Sequence, residues 1–151
     1  MSAVLNRNID YKVNFTFTPS IGNLKKFAIL GKNIIEFFWP TDDDLAFQVE
    51  VCLVEALSNV LFHSNLNGSN KISFQIGNNS HKLTIRVFDY GAGFSLTDFF
   101  QRKTNPYQAS GRGLHVIKSF TDKMKYIRGK TRNELFLEKL IVNNNSEKNY
   151  G

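Results

Sequence analysis

Glu55, Asn59 and His63 stand four residues apart inside the otherwise apolar run VCLVEALSNVLFHS, residues 51–64. On a helix that spacing places all three on one stripe. Burying a carboxylate, a carboxamide and an imidazole on a core helix costs roughly several kcal/mol unless each finds a partner. Such a stripe therefore reads as a site. Asn59 offers a neutral oxygen suited to a magnesium ion that keeps several waters and bridges phosphates. Glu55, one turn earlier on the same face, is placed to take a proton from an attacking hydroxyl.

Two glycine-containing segments follow. In Asp89-Tyr-Gly-Ala-Gly-Phe94 an aspartate precedes Gly91 and Gly93. Its carboxylate can accept from an exocyclic amine such as that of adenine, and the glycines permit a backbone approach that a side chain would block. In Gly111-Arg-Gly-Leu-His-Val-Ile117, the Gly111-Arg112-Gly113 triplet precedes a helical pattern and offers amide N–H groups and a guanidinium to phosphate. Neither segment matches the GxGxxG or GxxxxGK[ST] patterns. A Glu/Asn pair on one turn is common, and a DxGxG is often only a turn. The conjunction carries the argument: three segments in one order, each with residues suited to the same nucleotide ligand.

The elements that must hold these residues follow from periodicity. Residues 11–18 alternate Val13, Phe15 and Phe17 against Asn14, Thr16 and Thr18, which predicts a half-buried strand. Ser20 is placed to cap a helix carrying Leu24, Phe27, Ala28, Gly31, Ile34, Ile35 and Phe38, which Trp39-Pro40 closes. Thr41 with Asp44 resembles a capping box for a second helix, with Asp42 and Asp43 favouring its positive end. That helix runs through the Glu55/Asn59/His63 stripe and stops near residues 65–68. Strands are predicted over 71–76 and 82–88, joined by a turn at 77–80, and the second delivers Asp89 at its end. Residues 94–110 show no clean period and read as a flexible loop. A helix over 113–120 follows, then strands over 124–128 and 134–140 turned around Gly129-Lys130. Without strict βαβ alternation a doubly wound sheet is disfavoured. The expected fold is α+β, a two-layer α/β sandwich whose mainly antiparallel mixed sheet is covered by helices on one face.

At 151 residues with 42% hydrophobic content and 14 Phe, the chain is most simply one domain, 1–142, with 143–151 a disordered tail. The lone Cys52 excludes an intramolecular disulfide, and no Cys/His cluster has zinc-site spacing. No apolar run approaches the ~20 residues of a membrane span, and the first residues lack the pattern of a signal peptide, so a cytoplasmic protein with no membrane partner is expected. Net charge is +6. Residues 101–132 hold nine basic residues against the single Asp122, a net of +8, which leaves the rest slightly acidic. Nucleotide phosphates, an acidic protein face or nucleic acid could meet such a segment. Much of it is the solvated face expected of any surface, with Arg112 between its two glycines the exception.

Val-Glu-Ala-Leu-Ser-Asn-Val-Leu-Phe-His resembles the N box of the GHKL superfamily of gyrase, chaperone, histidine kinase and mismatch-repair ATPases. Asp-Tyr-Gly-Ala-Gly-Phe resembles its first glycine box, and Gly-Arg-Gly-Leu-His-Val-Ile its second, shorter than in many relatives. The likeness covers about residues 40–140 and implies the Bergerat ATP-binding fold with ATP and Mg2+ as ligands. Asn59 would hold the metal, Glu55 would be the catalytic base, and Asp89 would recognise adenine. Gly91, Gly93, Gly111 and Gly113 would shape the pocket and its lid over 94–110, with Arg112 binding the nucleotide. Relatives often carry a Gly-Thr pair before the last strand. Here Arg132-Asn133 stands there, so Asn133 would supply the hydrogen bond near adenine. Within the superfamily, the E-A-x-x-N-x-x-x-H form and the N-terminal strand and helix look most like the anti-sigma-factor serine/threonine kinases. Those proteins bind a sigma factor and phosphorylate an antagonist. The resemblance thus implies such a kinase, with a homodimer possible and no direct nucleic-acid contact. The alternatives are a non-catalytic nucleotide switch and a separated histidine-kinase-type ATPase domain.

Overall fold

Alternating burial along each strand builds one sheet with a covered face and a bare one. The computed structural model describes residues 10–40, 42–63, 71–79, 81–91, 93, 95–101 and 112–141, without the side chains of His63, Asp98 and Phe99. The chain runs β1 (Tyr11–Phe17), α1 (Ile21–Phe38), α2 (Asp43–His63), β2 (Ile72–Asn79), β3 (Lys82–Asp89), α3 (Leu96–Gln101), α4 (Gly113–Phe120), β4 (Lys123–Ile127) and β5 (Asn133–Leu140). The sheet order is β1-β2-β3-β5-β4. Every described pairing is antiparallel, so the mixed sheet expected from sequence has no parallel pair among the described strands. The helical pair α1–α2 explains the β1–β2 pairing. Two helices return the chain to the end it left, where Phe17 and Ile72 are register partners.

Ile72, Phe74, Ile76, Leu83, Ile85, Val87, Leu135 and Leu137 bury toward the helices. Lys12, Asn14, Thr16, Lys123 and Lys125 are exposed on the other side. That bare face is laced by polar pairs, including Gln75 Nε2 donating to Asn14 Oδ1 (2.8 Å) and Arg86 with Glu134 (2.7 Å). An antiparallel sheet solvated on one side is the expected outcome. An aromatic cluster ties β1, β2 and α1 together, with Phe17 stacked on Phe27 at 4.4 Å and Phe15 on Phe74 at 4.7 Å between centroids.

α2 is the central helix. It packs against α1, α4, β2 and β3 and buries Leu45, Ala46, Val49, Cys52, Leu53, Ala56, Leu57 and Val60. By length and composition its segment Asp43–Phe62 could cross a membrane, contrary to the sequence expectation, but the fold uses it as a core helix. Burial pushes the Cys52 thiol up to about 12, more than nearby Lys139 lowers it, so the thiol stays protonated at neutral pH.

Several boundaries differ from expectation. Ser20 caps α1 as expected, its hydroxyl accepting from Asn23 N–H at 3.0 Å. At α2 the Asp42 carboxylate caps the helix, its Oδ1 accepting from Leu45 N–H at 2.9 Å; Thr41 of the expected Thr41/Asp44 box lies outside the described residues. The turn expected at residues 77–80 is later and tighter, because β2 stays paired to β3 as far as Asn79 and Lys82. Asn79 Oδ1 accepts from Lys82 N–H at 3.1 Å, the local side-chain bond that favours asparagine beside turns. Within the segment expected to be a loop, Leu96–Gln101 is helical. The proposed tail, 143–151, lies outside the described residues.

Candidate functional site

The sequence-predicted residues fall into two clusters on elements that meet at α2. The first is built around Asp89, the last residue of β3 and the register partner of Asn133, the first residue of β5. Asp89 Oδ1 accepts from Gly91 N–H at 3.1 Å and from Asn133 Nδ2 at 2.9 Å. Asn133 Nδ2 also donates to the Gly91 carbonyl at 2.9 Å, so one buried amide ties the strand end to the turn after it. Asp89 Oδ2 accepts from the Tyr126 hydroxyl at 2.7 Å. β5 lies between β3 and β4, so Tyr126 reaches across it to the carboxylate. Burial first, then the hydrogen bond to Asp89 and its charge, hold the Tyr126 hydroxyl well above the usual tyrosine range, with Arg128 opposing.

Gly93 has φ +78°, a left-handed conformation that favours glycine. A Cβ there would sit 3.0 Å from Arg128 Nε and 3.4 Å from Asn133 Oδ1. The missing side chain thus lets Arg128 and Asn133 approach the backbone closely at the rim of the Asp89 cluster. An ionised carboxylate has about four acceptor positions. Three are taken here, and the one left on Oδ2 suits a single N–H donor such as an exocyclic amine.

The second cluster joins α2 to α4. Glu55 and Asn59 are half-buried, one turn apart on α2. The Glu55 carboxylate lies against the first turn of α4, where a Cβ on Gly113 would collide with it. A side chain at Gly113 would separate the two helices or displace the carboxylate. The positive end of a helix also favours a negative group. Arg112, exposed in helical conformation, precedes α4, whose first backbone bond runs from Val116 N–H to its carbonyl at 3.0 Å. Gly111, most of the expected lid and the His63 side chain lie outside the described residues. The lid's described part is anchored. Phe100 on α3 meets the His115 ring edge-on at 5.1 Å, and Lys118 Nζ lies 4.3 Å from its centroid.

The arrangement thus brings Asp89, Gly91, Gly93 and Asn133 into one cluster and Glu55 and Gly113 into another, with Asn59 beside Glu55. Sequence reasoning missed Tyr126 and Arg128. The signal for Tyr126 was its alternation with Met124, which puts both on the helix-covered face of β4.

Residues 32–139 match the histidine kinase-like ATPase domain. The chain belongs to the histidine kinase-like ATPase family. The match spans both clusters and more than two thirds of the chain, and the observed α+β sandwich agrees with it. No curated protein matches the chain significantly. As a member of this family the chain is an ATP-binding, kinase-like ATPase domain. Asp89 keeps one acceptor position, while a side chain at Gly93 would meet Arg128 and Asn133 and one at Gly113 would meet Glu55. Among the described residues no group of three or more His, Cys, Asp or Glu could hold a metal. Asn59 offers a single neutral oxygen, so a magnesium ion there would take its other ligands from phosphate and water.

Proposed function

We propose that this ATPase domain is a regulatory serine/threonine protein kinase of the anti-sigma-factor type, cytoplasmic, acting on a protein antagonist of the sigma factor it binds. The observation that carries the reading is the Glu55 carboxylate set against the first turn of α4, one helical turn from Asn59. A general base needs to sit where the attacking group meets the transferred phosphoryl. The start of a helix preceded by a glycine-flanked arginine is a natural seat for phosphate.

In this reading Asp89, with Gly91, Gly93 and Asn133, binds the adenine end. Asn59 would hold magnesium, which would supply neutralisation of the phosphate charge. Gly111, Arg112 and Gly113 supply N–H groups and a guanidinium to the phosphates. Glu55 takes the proton from a Ser or Thr hydroxyl on the antagonist as that oxygen bonds to the γ-phosphorus. The bond from that phosphorus to the bridging oxygen breaks, and ADP leaves. Phosphoryl transfer depends mainly on positioning and charge stabilisation, so the base contributes only part of the acceleration.

Glu55→Ala should retain ATP binding while transfer to a candidate antagonist falls by about 10²–10⁴-fold. Asn59→Ala should weaken ATP binding in magnesium far more than in chelator, because the lost group is a metal ligand. Acid-stable phosphate on the partner's Ser or Thr, measured with labelled ATP, is the expected product. A wild type that binds ATP yet phosphorylates no partner, with Glu55→Ala behaving identically, would overturn the kinase reading in favour of a nucleotide-dependent binding switch.

A further inference from the structure

Asp89 is tied down more completely than a residue that only ends a strand would need to be. Two donors hold Oδ1, Gly91 N–H and Asn133 Nδ2, and both come from the turn and strand directly beside it. Oδ2 is held from farther away, by a hydroxyl that crosses β5 from β4. With contacts to Oδ1 alone both acceptor positions of Oδ2 would stay open, and a donor could approach it from either side. The third bond removes that freedom. We infer that Tyr126 is a positioning residue for base selection, aiming the remaining acceptor position of Asp89 at an exocyclic amine on the purine. The inference rests on the proposed placement of adenine at Asp89 and goes beyond it by assigning the selectivity to β4.

The neighbourhood suits that role. Tyr126 is half-buried, and Asn133, which shares the Asp89 carboxylate with it, is 4% exposed. Arg128, just past the end of β4, lies against Gly93 and borders the same cluster. Losing one orienting bond to a charged group is worth about tenfold in binding. A purine with a carbonyl in place of the amine would bring an oxygen to the carboxylate, and Tyr126 contributes nothing to its affinity.

The test compares ATP with inosine triphosphate, which differs at that position of the base, by calorimetry on the full chain. Wild type should prefer ATP. Tyr126→Phe, which deletes one oxygen and keeps the ring packed, should bind ATP about tenfold more weakly and inosine triphosphate unchanged. Tyr126 replaced by p-aminophenylalanine, which keeps an N–H donor in place, should restore the preference, and thermal melts of all three proteins should coincide to show intact folding. Equal losses for both nucleotides, or an unchanged ATP affinity, would overturn the role of Tyr126 while leaving adenine recognition at Asp89 standing. A wild type with no preference for ATP over inosine triphosphate would overturn both.

Discussion

Three donors converge on the two oxygens of Asp89, and this determines what its replacement should do. In Asp89→Asn the amide oxygen can keep the bonds from Gly91 and Asn133, while the new NH2 group donates to Tyr126, whose hydroxyl can accept as well as donate. The fold should therefore survive. The position left for a ligand becomes a donor facing a donor, and sites built around one hydrogen-bond pattern reject the opposite one strongly. ATP affinity should fall by at least about a hundredfold, with a melting temperature close to wild type. Equal ATP affinity in titration calorimetry would show that Asp89 is only a strand-end residue. Asp89, Gly91 and Gly93 were legible in the sequence because they are neighbours in one short motif. Tyr126 was not, since its contact depends on β5 lying between β3 and β4, a strand order that no local pattern encodes.

The packing of α1 on α2 is set at Gly31. A Cβ there would collide with Leu53 Cδ1 on α2 and stand 3.2 Å from Ile76 Cδ1 on β2. Glycine inside a helix costs about 1 kcal/mol relative to alanine, so it is kept for closeness and not for helix stability. Overpacking typically costs about 1–3 kcal/mol, which exceeds the propensity gain, and Gly31→Ala should be destabilised. Gly22, on the same helix, has open space around its Cβ position. Gly22→Ala should stabilise by roughly 0.4–1 kcal/mol. Urea midpoints moving in opposite directions would confirm the difference, whereas two stabilised variants would refute close packing at Gly31. At this scale the sequence was read well wherever a period was long. The strand alternation, the Ser20 cap and the stop at Trp39-Pro40 were all visible. The cap that Asp42 gives α2 was not legible, because Thr41 and Asp42 are both capping types and only geometry shows which oxygen meets the Leu45 N–H. The short α3 was missed because its six residues carry no period of their own, and its attachment to α4 comes from Phe100 meeting His115 and Lys118.

Taken whole, the molecule hangs its two clusters on different layers. Asp89, Asn133 and Tyr126 belong to the sheet, Glu55 and Asn59 to α2, and Gly113 to α4. The core that joins them runs without interruption from Leu24 and Phe17 to Ile117 and Leu137. A nucleotide whose base meets the sheet cluster and whose phosphates meet the helical one would stabilise both layers together. Binding to the folded state alone adds about 2.7 kcal/mol when ATP is at a hundred times its dissociation constant. For a domain of this size that corresponds to a rise in melting temperature of roughly 5–10 °C. Wild type should show the rise with ATP in magnesium. Asp89→Asn should lose it at the same ATP concentration, having lost the base contact. Glu55→Ala should keep it, because a base that acts on the attacking hydroxyl contributes little to holding the nucleotide. If saturating ATP leaves the wild-type melting temperature where it was, the two clusters do not share one ligand. If Glu55→Ala loses the rise together with Asp89→Asn, Glu55 serves to seat α4 for phosphate, and proton transfer must be assigned to another group.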